Sequence, residues 1–459
     1  MTRAGEDRGR GRGGTLRALV VLAWPVVVSR SSQVVVGIAD AVMVGHLGAG
    51  ALAATTTGAT NAFALFILPM GIVFIVSSFS SQLFGMGDLA GARRHAWYGL
   101  AVAAATQGLA IAALPLLAPT LAAFPYAPDV QDAIRGYLAV RLLSGGAVVG
   151  LEALGNYYGG LGNTRLPMVA NLAAMVLNVA GNALLIDGRL GAPALGVRGA
   201  AVASAAATGI AFLGLFTVFV LECRRFGTGA LRRSELRRLL RFGVPSGLNW
   251  FFEFAAFAFF VNVVVAGLGT VSLAALMAVI QVNSVAFMPA FGLASAGAIL
   301  VGQAIGASRR DRVPGIVGLT LAVAAAWQSL VALAYLTAPE LVMSAFARDP
   351  ATAEALVAAG RRMLLMSAAW QLADATASVL AESLRAAGDT AFTMWVRVAL
   401  AWLVFAPGSW VAVRVLGAGD AAAVGWFVVY IFLLALVLLL RFRSGAWRRI
   451  ALVEAAPLE

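Results

Sequence analysis

Twelve apolar runs, separated by short segments carrying Gly, Pro or Arg, leave this chain little to form except a bundle of membrane-crossing helices. They fall near 16–45, 51–85, 95–124, 130–158, 167–187, 197–222, 243–266, 272–305, 315–345, 355–384, 391–415 and 420–440. A helical crossing needs roughly 20 apolar residues. With 459 residues, twelve crossings and their connections use up the chain, so no separate soluble domain fits. Composition agrees: 61% of residues are hydrophobic and 12% charged, against about a quarter charged in soluble domains.

The formal net charge of +12 raises nucleic-acid binding, because clustered basic surface is the footprint of phosphate recognition. Distribution argues against it. All the basic side chains are Arg and they sit between the apolar runs. If the N-terminus is cytoplasmic, twenty-three of them fall on the inner side, seven outside, and three (Arg30, Arg141, Arg397) within spans. That bias assigns both termini to the cytoplasm. The lone Cys223 excludes an internal disulfide, and His46 and His95 lie in different connections without metal-ligand spacing. No pairing of nucleophile with base and no phosphate loop suggests an enzyme.

The expected organisation is all-α and polytopic. A disordered cytoplasmic tail (1–14) leads without a cleaved signal into an N-terminal six-helix bundle (15–222). An Arg-rich cytoplasmic linker (223–241), a C-terminal six-helix bundle (242–442) and a cytoplasmic tail (443–459) follow. The bundles are repeats. LAWP at Pro25 matches FGVP at Pro245 with an offset of 220, and HLGAGALAA (46–54) lies over GLGTVSLAA (267–275) at 221. Gly71, Gln82 and Gly85 fall on Gly292, Gln303 and Gly306 at the same offset, and GLGNT (160–164) matches AAGDT (386–390) at 226. An even number of crossings per repeat gives both halves one orientation, the parallel-repeat plan of alternating-access transporters. A channel or receptor has no need of it.

An ionisable group inside the bilayer is costly and marks function by default. Asp40 in the first span, Glu152 in the fourth, Glu253 in the seventh and Asp374 in the tenth are such groups, Glu152 being the weakest candidate. Gln33 lies two helical turns before Asp40, and Asn171, Asn178 and Asn182 share one face of the fifth span. A carboxylate in low dielectric binds a proton or a cation, not both, and that exclusion suits exchange. The alternative is that the acids neutralise the three in-span arginines. Trp250, beside Glu253, and Trp370, one turn before Asp374, supply aromatic faces suited to organic cations.

The stretches LAWPVVVSRSSQVVVGIADAVMVGHLGAGALAA, LNVAGN, FFE and WQLADATASVLAESLRAAGDT together resemble the multidrug and toxic compound extrusion (MATE) family, in its bacterial NorM-like branch. The resemblance runs from about residue 15 to about 440. It implies two six-helix bundles forming a V around a central cavity in the bacterial inner membrane. It also implies export, by a monomer, of organic and often cationic compounds against inward H+ or Na+. Asp40, Glu253 and Asp374 then couple the ion, while Gln33, Asn178 and Asn182 line the substrate path; Glu152, which the family pattern does not anticipate, and Trp250 and Trp370 are added to that path on their own chemistry. No cofactor beyond the coupling ion is implied. A Na+ ion would sit at Glu253 and Asp374, but Na+-using members can offer a tyrosine oxygen where Trp370 has only an N–H donor. The rival function, a flippase of lipid-linked precursors with a similar fold, calls for a cationic cavity.

Overall fold

The computed structural model describes residues 12–347 and 351–453. Every regular element among the described residues is helical, as the need to satisfy backbone polar groups inside a bilayer demands. We number the spans α1 (Arg12–Gly45), α2 (Ala49–Met86), α3 (Leu89–Ala122), α4 (Pro128–Gly160), α5 (Arg165–Leu185) and α6 (Val197–Phe226). The second half holds α7 (Arg233–Leu268), α8 (Thr270–Gly306), α9 (Arg310–Thr337), α10 (Ala353–Ala386), α11 (Thr390–Val415) and α12 (Asp420–Arg443). Eleven are single helices long and apolar enough to cross a membrane. The twelfth, α4, bends by 48° between Leu143 and Gly145, where Ser144 turns its hydroxyl back onto the Arg141 carbonyl. The chain is a multi-pass membrane protein with the expected spans, each end located to within four residues except the starts of α3, α7 and α9 and the end of α9.

By packing, the chain forms two compact units, Val28–Phe251 and Met1–Val27 with Phe252–Glu459. The first unit is centred on residues such as Phe66, Ile134 and Leu138, the second on Val264, Val379, Leu384 and Leu438. The sequence division at 223–241 follows the chain; the packing division falls inside α1 and α7. Glycine explains the difference. In the first unit, a Cβ on Gly71 of α2 would stand 2.7 Å from Cα of Gly247 in α7, and one on Gly247 2.5 Å from the Leu68 carbonyl oxygen. In the second, Gly292 of α8 faces Val27 and the Ala23 carbonyl of α1 in the same way. The repeated pair Gly71 and Gly292 thus marks two helix crossings at which Pro25 and Pro245 also lie. Without a hydrophobic drive between helices in lipid, such close backbone approach is a main source of adhesion.

Gly247→Val is therefore expected to lower stability by about 1–3 kcal/mol or more, since backbone atoms have nowhere to retreat. Gly209→Ala in α6, which meets nothing within 4 Å, is the matched control and should leave thermal unfolding in detergent unchanged.

The linker is shorter and better held than expected. Only residues 227–232 lie outside α6 and α7, and Arg93 donates to the carbonyls of Gly227 (2.7 Å) and Phe226 (3.3 Å). Arg94 and the Tyr98 hydroxyl both donate to the Glu235 carboxylate at 2.9 Å. Of the N-terminal tail, 12–14 form the first turn of α1 and 1–11 lie outside the described residues, as does Arg348. The C-terminal tail is packed as far as 453: Trp447 and Leu452 are buried, and Ile450 and Leu452 close over Gly388.

A π turn at Phe260–Val265 corrects the repeat register. A π turn takes one more residue than an α turn. The offset grows from 220 at the prolines to 221 at Gly48 and Gly269, and this turn, which has no counterpart in α1, lies between them. Up to residue 259 the offset is therefore 220. Taken at 221 throughout, the repeat would set Glu253 on Ser32 and Asp40 on Val261; at 220 Glu253 falls on Gln33, and Asp40 falls on Phe260, where the π turn begins. α11 contains two further π turns, Leu400–Phe405 and Val411–Val415, flanking Pro407, which lacks an N–H and crowds the turn before it.

Candidate functional site

In the first unit Asp40 is 7% exposed and held by neutral donors from two other helices. Asn182 Nδ2 of α5 donates to Oδ1 at 2.5 Å, and Ser204 Oγ of α6 donates to Oδ2 at 3.2 Å. Asn178 Nδ2 donates to Ser204 Oγ at 2.8 Å and Asn182 Nδ2 reaches Asn178 Oδ1 at 3.4 Å, closing the ring. One atom is left over: Asn182 Oδ1 is buried and has no hydrogen-bond partner. Of the three asparagines that share a face of α5, Asn178 and Asn182 belong to the Asp40 ring, while Asn171 turns to Ser29 and Gln33. Ser204 was missed, because one serine among small residues carries no periodic signal.

Gln33, two turns back on α1, is exposed and pairs instead with Asn171, at 3.4 Å. Glu152 is also elsewhere. Its carboxylate accepts two hydrogen bonds from Arg30, at 2.6 and 3.3 Å, and one from Asn156 at 3.1 Å. Arg30 lies over the Phe74 ring, which packs at 5.0 Å against Trp250. Placed by sequence on the substrate path, Glu152 is here the counter-ion of an in-span arginine.

In the second unit Glu253 of α7 is 42% exposed by side chain and pairs with the mostly buried Arg397 of α11, Nη1 donating to Oε2 at 2.5 Å. Asp374 of α10 lies within the electrostatic field of both. Beside Asp374 opens a cavity of about 260 Å³ walled by Phe257, Phe260, Phe287, Trp370 and Phe427, with Asn283, Ser284 and Gln371 as further polar lining. Trp370 stands edge-on to Phe427 at 5.0 Å. Gln371 and Ser367 both donate to Asn283 Oδ1, at 2.8 and 3.0 Å. Sequence reading placed Trp370 and Asp374 here and missed the Asn283–Gln371–Ser367 cluster, whose members lie on two helices far apart in the chain. Among the described residues no three His, Cys, Asp or Glu side chains gather to hold a metal ion.

The sequence and the fold have known relatives. A sequence model described as MatE matches residues 25–184 and again 245–411, one match in each half. The chain belongs to the MatE family. Its two matches start at the paired prolines Pro25 and Pro245, so the repeat found by offset is the repeat of the family. A probable multidrug resistance protein NorM from Chromobacterium violaceum is 31% identical over 404 residues, 84% of each chain. One of the same description from Pseudomonas putida is 30% identical over 90% of each chain.

Solved structures share the MatE fold. One described as the outward-facing conformation of a multidrug resistance MATE family transporter superposes with a TM-score of 0.84 at 20% identity, over 95% of this chain and 97% of that one. A MOP superfamily transporter from Pyrococcus furiosus, whose description speaks of a binding pocket of reverse polarity, gives 0.83 at 19%, with the same coverage. At that identity the likeness is one of fold.

Proposed function

We propose that this MatE-family chain is a secondary active multidrug exporter. It moves organic, often cationic compounds out of the cell against inward H+ or Na+, as a monomer in the bacterial inner membrane with both termini cytoplasmic. The similarity to NorM multidrug resistance proteins over 84% and 90% of the chain supports the cargo class. The observation that carries the coupling is the Asp40 ring: a carboxylate hydrogen-bonded by neutral donors, next to an acceptor of the same ring, Asn182 Oδ1, that is buried and unpaired. A carboxylate inside the bilayer is costly and marks function by default, and the Arg141 guanidinium of α4 acts on this one through space without a hydrogen bond to it. A proton on Asp40 or a cation beside it neutralises the charge and gives the free amide oxygen a partner. Asp374, which lines the aromatic cavity, and Glu253, whose charge acts on Asp374, supply negative charge for a cationic cargo.

Efflux of tetraphenylphosphonium from proteoliposomes, driven separately by a proton and a sodium gradient, tests the reading. Export under at least one gradient is expected, and none under either defeats it.

A further inference from the structure

Two equivalent helix contacts in the two halves carry different chemistry. With the offset of 220 that holds up to the π turn of α7, Gln33 corresponds to Glu253. With the offset of 226 that relates 160–164 to 386–390, Asn171 corresponds to Arg397. In the first unit the two positions meet as amides, Gln33 Nε2 donating to Asn171 Oδ1 at 3.4 Å. In the second they meet as ions, Arg397 Nη1 donating to Glu253 Oε2 at 2.5 Å. The contact is kept while its charge is changed.

The change brings a fixed cation to the acids that a sodium ion would otherwise use. Sodium requires oxygen ligands and is repelled by a guanidinium. Glu253 already bonds Arg397, and Asp374 feels the same positive charge. Trp370, one turn before Asp374, can only donate. One unpaired donor points the same way: Arg397 Nε is buried without a partner, while the Tyr430 hydroxyl of α12, also buried and unpaired, can donate or accept and decides nothing. What an unpaired guanidinium N–H lacks is an acceptor, the opposite of what a metal ion offers.

We infer that Arg397 is a tethered counter-cation that excludes Na+ from Glu253 and Asp374 and so sets the ion specificity of the second unit. With both carboxylates ionised the trio carries one net negative charge beside an aromatic cavity, which suits an organic monocation and not a hydrated metal ion. In this the inference rests on the transport reading; the exclusion of Na+ does not.

The test is binding of 22Na+ to the purified protein in detergent, with thermal unfolding and gel filtration as the check on folding. For the wild type, replacing Asp374 by Asn should leave 22Na+ binding unchanged. Arg397→Asn frees both carboxylates and should raise 22Na+ affinity about tenfold or more. Adding Asp374→Asn to it should remove the gain. Because Arg397→Asn alone leaves two acids facing each other, Glu253→Gln with Arg397→Asn is made as well. It rebuilds the amide pair of the first unit, and it should stay folded and show no gain. Wild-type Na+ binding that is lost in Asp374→Asn overturns the inference. So does a folded Arg397→Asn protein with no gain. If Arg397→Asn does not fold, the wild-type comparison decides alone. A protein that exports tetraphenylphosphonium under neither gradient defeats the transport reading, yet leaves this ion-binding comparison intact.

Discussion

Asp40→Asn should reduce ion-driven export of tetraphenylphosphonium to the level of protein-free liposomes while leaving the protein folded. The geometry separates the two effects. An asparagine at 40 keeps one oxygen for Asn182 Nδ2 and turns its own amide N–H groups towards Asn182 Oδ1, the acceptor now unpaired. Ser204 already accepts from Asn178 and loses only the acceptor for its hydroxyl proton. The net cost of one such hydrogen bond is about 0.5–1.5 kcal/mol, too little to unfold a twelve-span protein. What disappears is the charge that a proton or cation must neutralise, and no other acid joins this ring. Ser204→Ala gives the graded comparison: it takes away one donor to the carboxylate, and exchange should fall without being abolished. Unimpaired exchange in folded Asp40→Asn would remove Asp40 from the coupling.

The spans were legible because length and apolarity alone decide them: 270–306 and 390–415 differ from the expected runs by two residues or fewer at each end. Pro25, Pro245, Gly71 and Gly292 were visible as repeats, but their meaning was not. A repeat shows that a residue is used twice, whereas only packing shows that Gly71 meets Gly247 and Gly292 meets Val27. In the sites, the i, i+4 relation placed Asn178 and Asn182 together, since helical periodicity is a local property. Ion pairing is not local. Arg30 and Glu152 are 122 residues apart, Glu253 and Arg397 are 144 apart, and nothing in the sequence assigns one to the other. The π turn at 260–265 had the subtlest effect, moving the partner of Glu253 by one residue and so hiding the Gln33 correspondence.

Arg30→Ala is expected to destabilise the protein on the order of 3–5 kcal/mol, the cost of leaving one member of a buried pair unpaired. Arg30 and Glu152 side chains are 18% and 10% exposed. They share two hydrogen bonds, and Asn156 supplies a neutral donor that cannot replace the missing charge. Glu152→Gln should cost a similar amount, because it leaves the guanidinium over Phe74 with a neutral partner. Arg30→Leu with Glu152→Leu removes both charges and leaves apolar groups of comparable bulk, so it should lie closer to wild type than either single change. A double-mutant cycle on thermal unfolding in detergent reads this as a coupling energy of 0.5–3 kcal/mol or above, whereas independent sites add. The cycle also decides what Glu152 is for. If it is the counter-ion of Arg30, stability falls with either substitution and tetraphenylphosphonium affinity follows only as far as folding does. If it binds cargo, Glu152→Gln weakens affinity at unchanged stability, and the Arg30 substitution does not reproduce it. The bidentate contact and the cation–π support under Arg30 favour the first outcome, which leaves Asp40, hydrogen-bonded by the neutral donors Asn182 and Ser204, as the acid of the first unit to which ion coupling falls.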